Sequence, residues 1–107
     1  MPHTNAGQYI QQAIKENNAD LRITAVRAAT ELNADVTGVI RALVNDPDAQ
    51  VRRECALALR HNPSAEAAEL WAVLAAQHDG KDRWYLEALG IGADRQWDKF
   101  LPHIFLK

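Results

Sequence analysis

Apolar side chains recur at helical spacing in the segment NDPDAQVRRECALALR, which starts at residue 45. The positions i, i+4, i+7 and i+8 lie on one face of an α-helix, and here they are held by Val51, Cys55, Ala58 and Leu59. Asp48 precedes them, and aspartate is a residue type that caps helix N-termini. The pattern therefore predicts an amphipathic helix that begins near residue 49 and buries this face.

The same pattern recurs along the chain at a nearly constant offset. Thirty residues earlier, Arg22 aligns with Arg52. Thirty-one residues later, Arg83 aligns with Arg52 and Asp79 aligns with Asp48. The segments in between also repeat, with matching apolar residues at 9–14, 39–44 and 70–75. A repeat of this length predicts helical pairs that stack, because one pair cannot bury its apolar face alone.

Glycine, proline and polar turns divide the chain into seven predicted helices. Their approximate ranges are 6–16, 20–32, 35–45, 49–61, 65–77, 82–92 and 96–106. We expect an all-α fold, a right-handed α-solenoid of about three helical pairs plus a terminal helix. A closed helical bundle is the alternative, but a closed bundle needs no fixed offset between successive pairs. The predicted organisation is a single domain, 1–107, with repeats at about 6–32, 35–61 and 65–92 and a final partial repeat at 96–107.

The composition is that of one small globular domain. The 107 residues are 48% hydrophobic and 24% charged, with a net charge of −2. This is too apolar for a disordered chain, and the charge suggests neither nucleic acid nor an anionic membrane as a partner. Apolar runs are only a few residues long, so no membrane-spanning helix is expected, and the start MPHTNAGQY has no signal-peptide pattern. The compartment is left open.

A family resemblance centres on the segment DPDAQVRRECALAL. It resembles the second helix of a HEAT repeat, whose usual form is Asp-Pro-x-x-x-Val-Arg-x-x-Ala-x-x-Ala-Leu. The matching residues are Asp46, Pro47, Val51, Arg52, Ala58 and Leu59, and Cys55 stands where a small alanine is usual. The resemblance covers the whole chain as roughly three repeats. It implies a non-catalytic module that binds or spaces proteins.

The stretch HDGKDRWYLEALGIGAD, residues 78–94, carries a narrower resemblance. It is similar to HEAT segments in large multi-domain proteins of planctomycetes and related bacteria, which join a dehydrogenase-like propeller, HEAT repeats and a c-type haem segment. The resemblance implies that the chain is a fragment of a larger bacterial parent of that kind, which would be periplasmic or exported. The haem-attachment pattern Cys-x-x-Cys-His is absent, since the single cysteine is Cys55, so no cofactor is expected.

Charged residues in the same stretch allow two interpretations. Asp79, Asp82 and Arg83 could form an acid-base or anion site, or they could cap a turn and continue a series of structural arginines. We define the arginine ladder as Arg22, Arg52 and Arg83, which share one repeat position and are each expected to bond the turn of a neighbouring repeat. This shared position favours the structural interpretation.

Neither the cysteine, the histidines nor the glycines form a recognisable catalytic or ligand motif. The histidines at 3, 61, 78 and 103 lie far apart, and Cys55 on the core face is interpreted as a small buried hydrophobe. We therefore expect no enzymatic activity, no catalytic residue and no metal. Gly90 and Gly92 follow no strand and lack the third glycine of a dinucleotide loop. Gly90 is instead expected to allow close helix packing, and Gly92 to end its helix.

The candidate interaction surface lies on the second helices, which line the concave side of HEAT-type stacks. We call it the second-helix face, and it consists of Arg27, Arg53, Leu57, His61, Trp84 and Tyr85. Mixed aromatic, apolar and basic side chains suit a protein partner. For Trp84 and Tyr85 the alternative is that they fill the core, and the sequence pattern favours neither.

The leading functional hypothesis is an interaction or scaffold module that presents this face to a protein partner or to another domain of its parent. The alternatives are a nucleic-acid-binding HEAT-like domain, which the net charge of −2 disfavours, and, with least support, a HEAT-like lyase. The terminal segment holds more large apolar residues than one helix face can bury. Weak self-association through residues 97–107 is therefore also expected.

Overall fold

The computed structural model describes residues 5–62, 64–77 and 81–100, and no β-strand occurs among them. The helices are α1 (Asn5–Ala13), α2 (Ala19–Leu32), α3 (Val36–Leu43), α4 (Ala49–Ala58), α5 (Ala65–Ala76) and α6 (Arg83–Gly92). Residues 97–100 are helical as well. The rest of the helix predicted at 96–106 lies outside the described residues.

The six helices form three successive pairs that stack side by side. Helix α1 packs with α2, α3 with α4, and α5 with α6. In addition α2 packs against α4, α4 against α6, and α3 against α5, so that like helices of neighbouring pairs adjoin. The molecule is accordingly elongated, with extents of 45 × 27 × 20 Å. The α-solenoid predicted from the repeat offset is confirmed.

Each second helix begins at a polar residue that caps it. The caps are Asn18 for α2, Asp48 for α4 and Asp82 for α6, whose side-chain oxygens accept backbone N–H groups at 2.8, 2.8 and 3.1 Å. A cap of this type stabilises a helix by about 1 kcal/mol, because it satisfies a donor that has no partner within the helix. Equivalent residues of the three pairs can therefore be aligned on their caps.

This alignment corrects the predicted register of the third pair. Helix α6 begins thirty-four residues after α4, and both helices are 10 residues long. The same offset relates His61 to Arg95, which both adopt left-handed backbone with φ of 64° and 63°. The predicted offset of thirty-one is wrong, because Asp82 caps α6; Asp79, which we had aligned with the cap of α4, lies outside the described residues.

The corrected register changes which residues of α4 are equivalent to residues of α6. Tyr85 becomes equivalent to Val51, and both are fully buried. Leu86 becomes equivalent to Arg52. Arg83 falls at the first position of α6, so its predicted place in the arginine ladder is wrong.

Two helix ends also differ from those predicted. Helix α1 ends at Ala13 rather than near residue 16. Helix α4 ends at Ala58 rather than near residue 61, because the N–H groups of Leu59 and Arg60 donate to carbonyls three residues earlier, in tighter turns that lead to the left-handed backbone of His61.

A continuous apolar core runs through the stack. Its largest fully buried side chains include Ile10, Val26, Ile40, Val51, Leu59, Leu74, Tyr85 and Phe100. Trp71 of α5 is buried, and its indole N–H donates to the Leu89 carbonyl oxygen at 2.9 Å. The rings of Trp97 and Phe100 lie 5.9 and 5.6 Å from the Trp71 ring, so the beginning of the last helix packs on α5.

Helices α4 and α6 approach each other closely at Gly92. A Cβ atom at this position would collide with the carbonyl oxygen of Ala56, whereas a Cβ at Gly90 would meet nothing within 4 Å. The close packing predicted for Gly90 therefore belongs to Gly92, which is also the last residue of α6, as expected. The register error is again the reason. In the corrected register Gly92, and not Gly90, lies on the side of α6 that faces α4.

Candidate functional site

A largely buried ion pair joins the first and second repeats, with side-chain exposures of 13% for Arg22 and 5% for Asp46. The Arg22 guanidinium donates through Nε and Nη2 to the two carboxylate oxygens of Asp46, at 2.7 and 3.2 Å, and through Nη1 to the carbonyl oxygen of Glu16 at 2.6 Å. The hydrogen bond with Asp46 raises the pKa of Arg22. Asp46 also accepts the backbone N–H of Asp48 at 2.9 Å. The charges of this cluster are therefore paired with one another and hydrogen-bonded within the chain.

Arg52 joins the second and third repeats by a different set of contacts. Its Nη1 donates to the carbonyl oxygen of Asp46 at 2.6 Å, and its Nε lies 3.4 Å from the Tyr85 hydroxyl. Its guanidinium carbon lies 5.6 Å from the centre of the Tyr85 ring, within cation–π range. The Tyr85 hydroxyl in turn donates to the Leu74 carbonyl oxygen at 2.7 Å. Burial raises the pKa of Tyr85, so this hydroxyl stays protonated at neutral pH.

Arg83 does not extend the arginine ladder. Its side chain is exposed, and its Nε lies 3.6 Å from Glu87 Oε2, one turn along the same helix. Asp82 caps α6, and Asp79 lies outside the described residues. The geometry thus gives Asp82 and Arg83 separate local contacts and does not bring them together as an acid-base or anion site.

Three further ion pairs join the repeats, and the sequence pattern predicted none of them. Arg27 bonds Glu54 at 3.1 Å, Arg41 bonds Glu66 at 2.7 Å, and Arg60 bonds Asp94 at 3.3 Å. Each pair spans one repeat, since the partners are 27, 25 and 34 residues apart. The separations of 27 and 25 residues differ from the predicted offset of thirty to thirty-one, so a search at that offset misses the first two pairs, and Arg60 and Asp94 meet only in the corrected register.

The second-helix face splits into exposed, half-buried and buried members. Trp84 is 66% exposed, and Arg27 and His61 are exposed too, while Arg53 and Leu57 are half-buried. Tyr85 is 2% exposed and belongs to the core, so its inclusion in this face is wrong. The corrected register explains the division within α6, because it aligns Trp84 with exposed Gln50 of α4 and Tyr85 with buried Val51.

Two shallow grooves run between the second helices. One, of about 240 Å³, lies between α2 and α4 and is lined by Arg27, Thr30, Glu31, Glu54, Leu57 and Ala58. The other, of about 490 Å³, lies between the end of α4 and α6 and is lined by Arg60, Glu87, Gly90, Ile91 and Asp94. Exposed Ile91 takes the position that Arg27 and Leu57 have in the earlier repeats, and the sequence analysis missed it because of the register error. A larger cavity of about 820 Å³ beside α1 contains none of the predicted face residues.

The chemistry of the described residues is that of packing and capping. Burial raises the pKa of the Cys55 thiol to about 12, so at neutral pH it is protonated and inaccessible. In residues 5–62, 64–77 and 81–100, no three His, Cys, Asp or Glu side chains cluster closely enough to hold a metal ion. Nor is any helix in that part of the chain long and apolar enough to cross a membrane.

Comparison with known proteins assigns the repeat. A family model described as HEAT repeats matches residues 8–90, which is more than three quarters of the chain. Neither the curated proteins nor the solved structures gave a significant match. HEAT repeats generally mediate protein interactions or scaffolding, and they are generally non-catalytic. The family match extends over the three stacked helical pairs. The chain therefore belongs to the HEAT-repeat family.

Proposed function

We propose that the protein is a non-catalytic interaction module whose second helices hold a protein partner against Trp84, Leu57 and Ile91. Trp84 is the observation that carries the proposal. It is 66% exposed, although its neighbour Tyr85 is buried and supplies the packing that this part of α6 needs. A large aromatic side chain left in solvent is the type of residue that dominates protein–protein binding energy.

The apolar side chains of the face are arranged so that one partner can reach them together. Leu57 on α4 and Ile91 on α6 occupy equivalent positions of neighbouring repeats, and Trp84 precedes Ile91 by two turns of the same helix. Trp84 and Ile91 are both exposed. Because stacked helices are rigid, binding here would not require the face to reorganise.

The charges of the face favour a protein over a nucleic acid. Arg27 of the face forms an ion pair with Glu54, and Arg60, which lines the groove beside Ile91, forms one with Asp94. Nucleic-acid binding draws its affinity from basic side chains that are free to contact phosphates. Paired arginines and a net charge of −2 do not supply that contribution.

Affinity capture from cells that express the protein tests the proposal. The wild type should retain a protein that Trp84→Ala and Arg53→Glu both lose, since these changes remove the exposed aromatic and reverse a charge on the same face. Tyr9→Ala is the matched control, because Tyr9 is a half-exposed aromatic on α1, on a first helix. Retention of the same protein by all variants would refute the assignment of this face, and retention of nucleic acid in place of protein would favour the other function.

The narrower resemblance of residues 78–94 extends the proposal to a parent chain. If the module belongs to a multi-domain bacterial protein, the partner is another domain of that protein. The coding sequence on either side of this segment decides this point. Adjoining propeller and haem-binding segments in the same gene would support the hypothesis, and their absence would refute it.

A further inference from the structure

Two arginines and a histidine on or just beyond the second helices are left unpaired by the described part of the chain. Arg53 lies on α4, whereas His61 and Arg95 follow the C-terminal ends of α4 and α6. Among residues 5–62, 64–77 and 81–100, no carboxylate forms an ion pair with any of these three side chains. His61 and Arg95 are exposed, and Arg53 is half-buried. Their polar groups are therefore available to a partner.

The acidic residues beside these two arginines are engaged elsewhere. Glu54 follows Arg53, and Asp94 precedes Arg95, but each carboxylate bonds an arginine other than its neighbour. At the position equivalent to Arg95, the first repeat has an exposed Glu31 instead. Uncompensated positive charge on this side of the stack therefore lies on the second and third repeats.

The two arginines lie at opposite ends of the apolar centre of this side. Arg53 precedes Leu57 by about one turn of α4, and Arg95 follows Ile91 by about one turn at the end of α6. Leu57 and Ile91 occupy equivalent positions of neighbouring repeats. A line from α4 to α6 therefore crosses a cation, two apolar side chains and a second cation. We call these four residues the basic–apolar strip.

Helix electrostatics account for only part of this pattern. A cation near a helix C-terminus is stabilised by the last carbonyl groups, which applies to His61 and Arg95. Arg53 lies in the middle of its helix, where this effect has decayed. His61 and Arg95 also adopt left-handed backbone, with φ of 64° and 63°, for which glycine is the usual residue at a helix end. Their side chains are thus kept at a conformational cost.

We propose that the basic–apolar strip binds an acidic peptide segment in which an apolar residue lies between two carboxylates. This inference rests on the proposed function and specifies its partner. In an extended chain alternate side chains point to the same side, so the pattern Glu-x-Leu-x-Glu presents two carboxylates and an apolar group together. Pairing of these carboxylates with Arg53 and Arg95 positions the segment, and its apolar residue contacts Leu57 and Ile91.

The same arrangement is poorly suited to a nucleic acid. Phosphate recognition draws its affinity from many free cations along the backbone. The strip offers two, and the carboxylates of Glu54 and Asp94 adjoin them. The apolar side chains between the two arginines provide no hydrogen-bond donor for a phosphate. Two separated carboxylates on a peptide match two separated arginines better than a continuous row of phosphates does.

Fluorescence anisotropy with the full chain is the test, and a short labelled peptide with the pattern Glu-x-Leu-x-Glu is the probe. The peptide should bind, and its affinity should fall as salt is raised. The same peptide with lysine in place of glutamate should not bind. The self-association expected through residues 97–107 stays a prediction, since these residues mostly lie outside the described part of the chain, and it would affect both peptides alike. Equal binding of the two peptides would overturn the proposal.

Two variants assign the binding to the strip. Arg53→Gln and Arg95→Gly should each weaken binding of the acidic peptide about threefold, and together about tenfold, as the loss of exposed ion pairs does. Arg95→Gly should preserve thermal stability, because glycine suits the left-handed backbone at this position, so its effect on binding is not one of unfolding. Lys15→Gln is the matched control, since Lys15 is an exposed cation just beyond α1. An effect of Lys15→Gln equal to that of the two variants would overturn the proposal.

The capture experiment separates this proposal from the proposed function. Retention of a protein that Trp84→Ala loses, but that the double variant Arg53→Gln, Arg95→Gly still retains, would overturn the acidic partner and leave the proposed function standing. Loss of the acidic peptide by the double variant, with no effect of Trp84→Ala on capture, would support the strip and contradict the role of Trp84. Binding of a double-stranded DNA oligonucleotide as tight as that of the acidic peptide would overturn the proposal in favour of a nucleic acid.

Discussion

The two junctions between successive second helices use different chemistry. Where α2 meets the second repeat, Arg22 and Asp46 form a bidentate ion pair in which Asp46 is only 8% exposed. Where α4 meets α6, the guanidinium of Arg52 lies over the aromatic ring of Tyr85. The backbone of α4 at Ala56 packs directly against Gly92, which has no side chain to prevent it. The offset between equivalent helices also changes, from thirty residues to thirty-four.

This difference shows that successive repeats of one stack can be joined by an ion pair at one junction and by close backbone packing at the next. A buried ion pair is sensitive to the loss of either partner, because the other charge is then left without compensation. A close backbone contact is sensitive to added volume instead. The two junctions should therefore fail under different substitutions.

Removal of the carboxylate at the first junction should have the larger effect. Asp46→Ala leaves the Arg22 guanidinium without its carboxylate and the N–H of Asp48 without its acceptor, so the free energy of unfolding should fall by about 3–5 kcal/mol. Urea denaturation measures it. Asp48→Ala is the control, since it removes a helix cap worth about 1 kcal/mol. Equal losses in the two variants would show that Asp46 acts only as another turn residue.

Added volume at the second junction should come next. Gly92→Ala places a methyl group against the Ala56 carbonyl oxygen, and the forced separation of α4 and α6 should cost about 2–3 kcal/mol. Thermal unfolding monitored by circular dichroism checks this. Gly90→Ala, two residues away, has open space and should not destabilise the protein. The reverse order of stability would restore the uncorrected register.

Arg52 contacts both sides of the second junction, and its removal should have a smaller effect. Arg52→Ala loses the hydrogen bond to the Asp46 carbonyl and the contact with Tyr85, so the free energy of unfolding should fall by about 1–3 kcal/mol. Arg83→Ala should leave it unchanged, because Arg83 is exposed and its ion pair with Glu87 lies along its own helix. Similar losses for both arginines would place Arg83 back in the ladder.

The sequence was sufficient to predict the helical pairs and most of their core. The cap Asp48 and the burial of Val51 and Cys55 in α4 and of Leu59 at its C-cap follow from local rules of helix formation, which do not depend on distant contacts, whereas Ala58 of the predicted face is half-buried. The third register could not be settled in this way, because Asp79 and Asp82 are equally good caps by residue type. Packing decides between them, since Tyr85 must point inward toward Leu74 and Arg52.

The same register error affected the residues assigned to the second-helix face. Adjacent residues on a helix point about 100° apart, so a register error of three residues turns the assigned face by about 60° around the helix axis, which moves residues near its edge across the boundary between core and surface. Trp84 and Tyr85 therefore stayed ambiguous, and Ile91 went unnoticed. The ion pairs between repeats were equally hidden, because Arg60 and Asp94 are matched only at an offset of 34 residues.

The contrast between neighbouring residues 84 and 85 gives the most direct test of both the register and the proposed face. Urea denaturation of Trp84→Ala and Tyr85→Ala should give very different results. Trp84→Ala should change the free energy of unfolding by less than about 0.5 kcal/mol, because an exposed side chain contributes little to the fold. Tyr85→Ala should lose about 3–5 kcal/mol, as the loss of a buried aromatic does. A loss for Trp84→Ala as large as that for Tyr85→Ala would contradict the register and remove the exposed aromatic on which the proposed function depends.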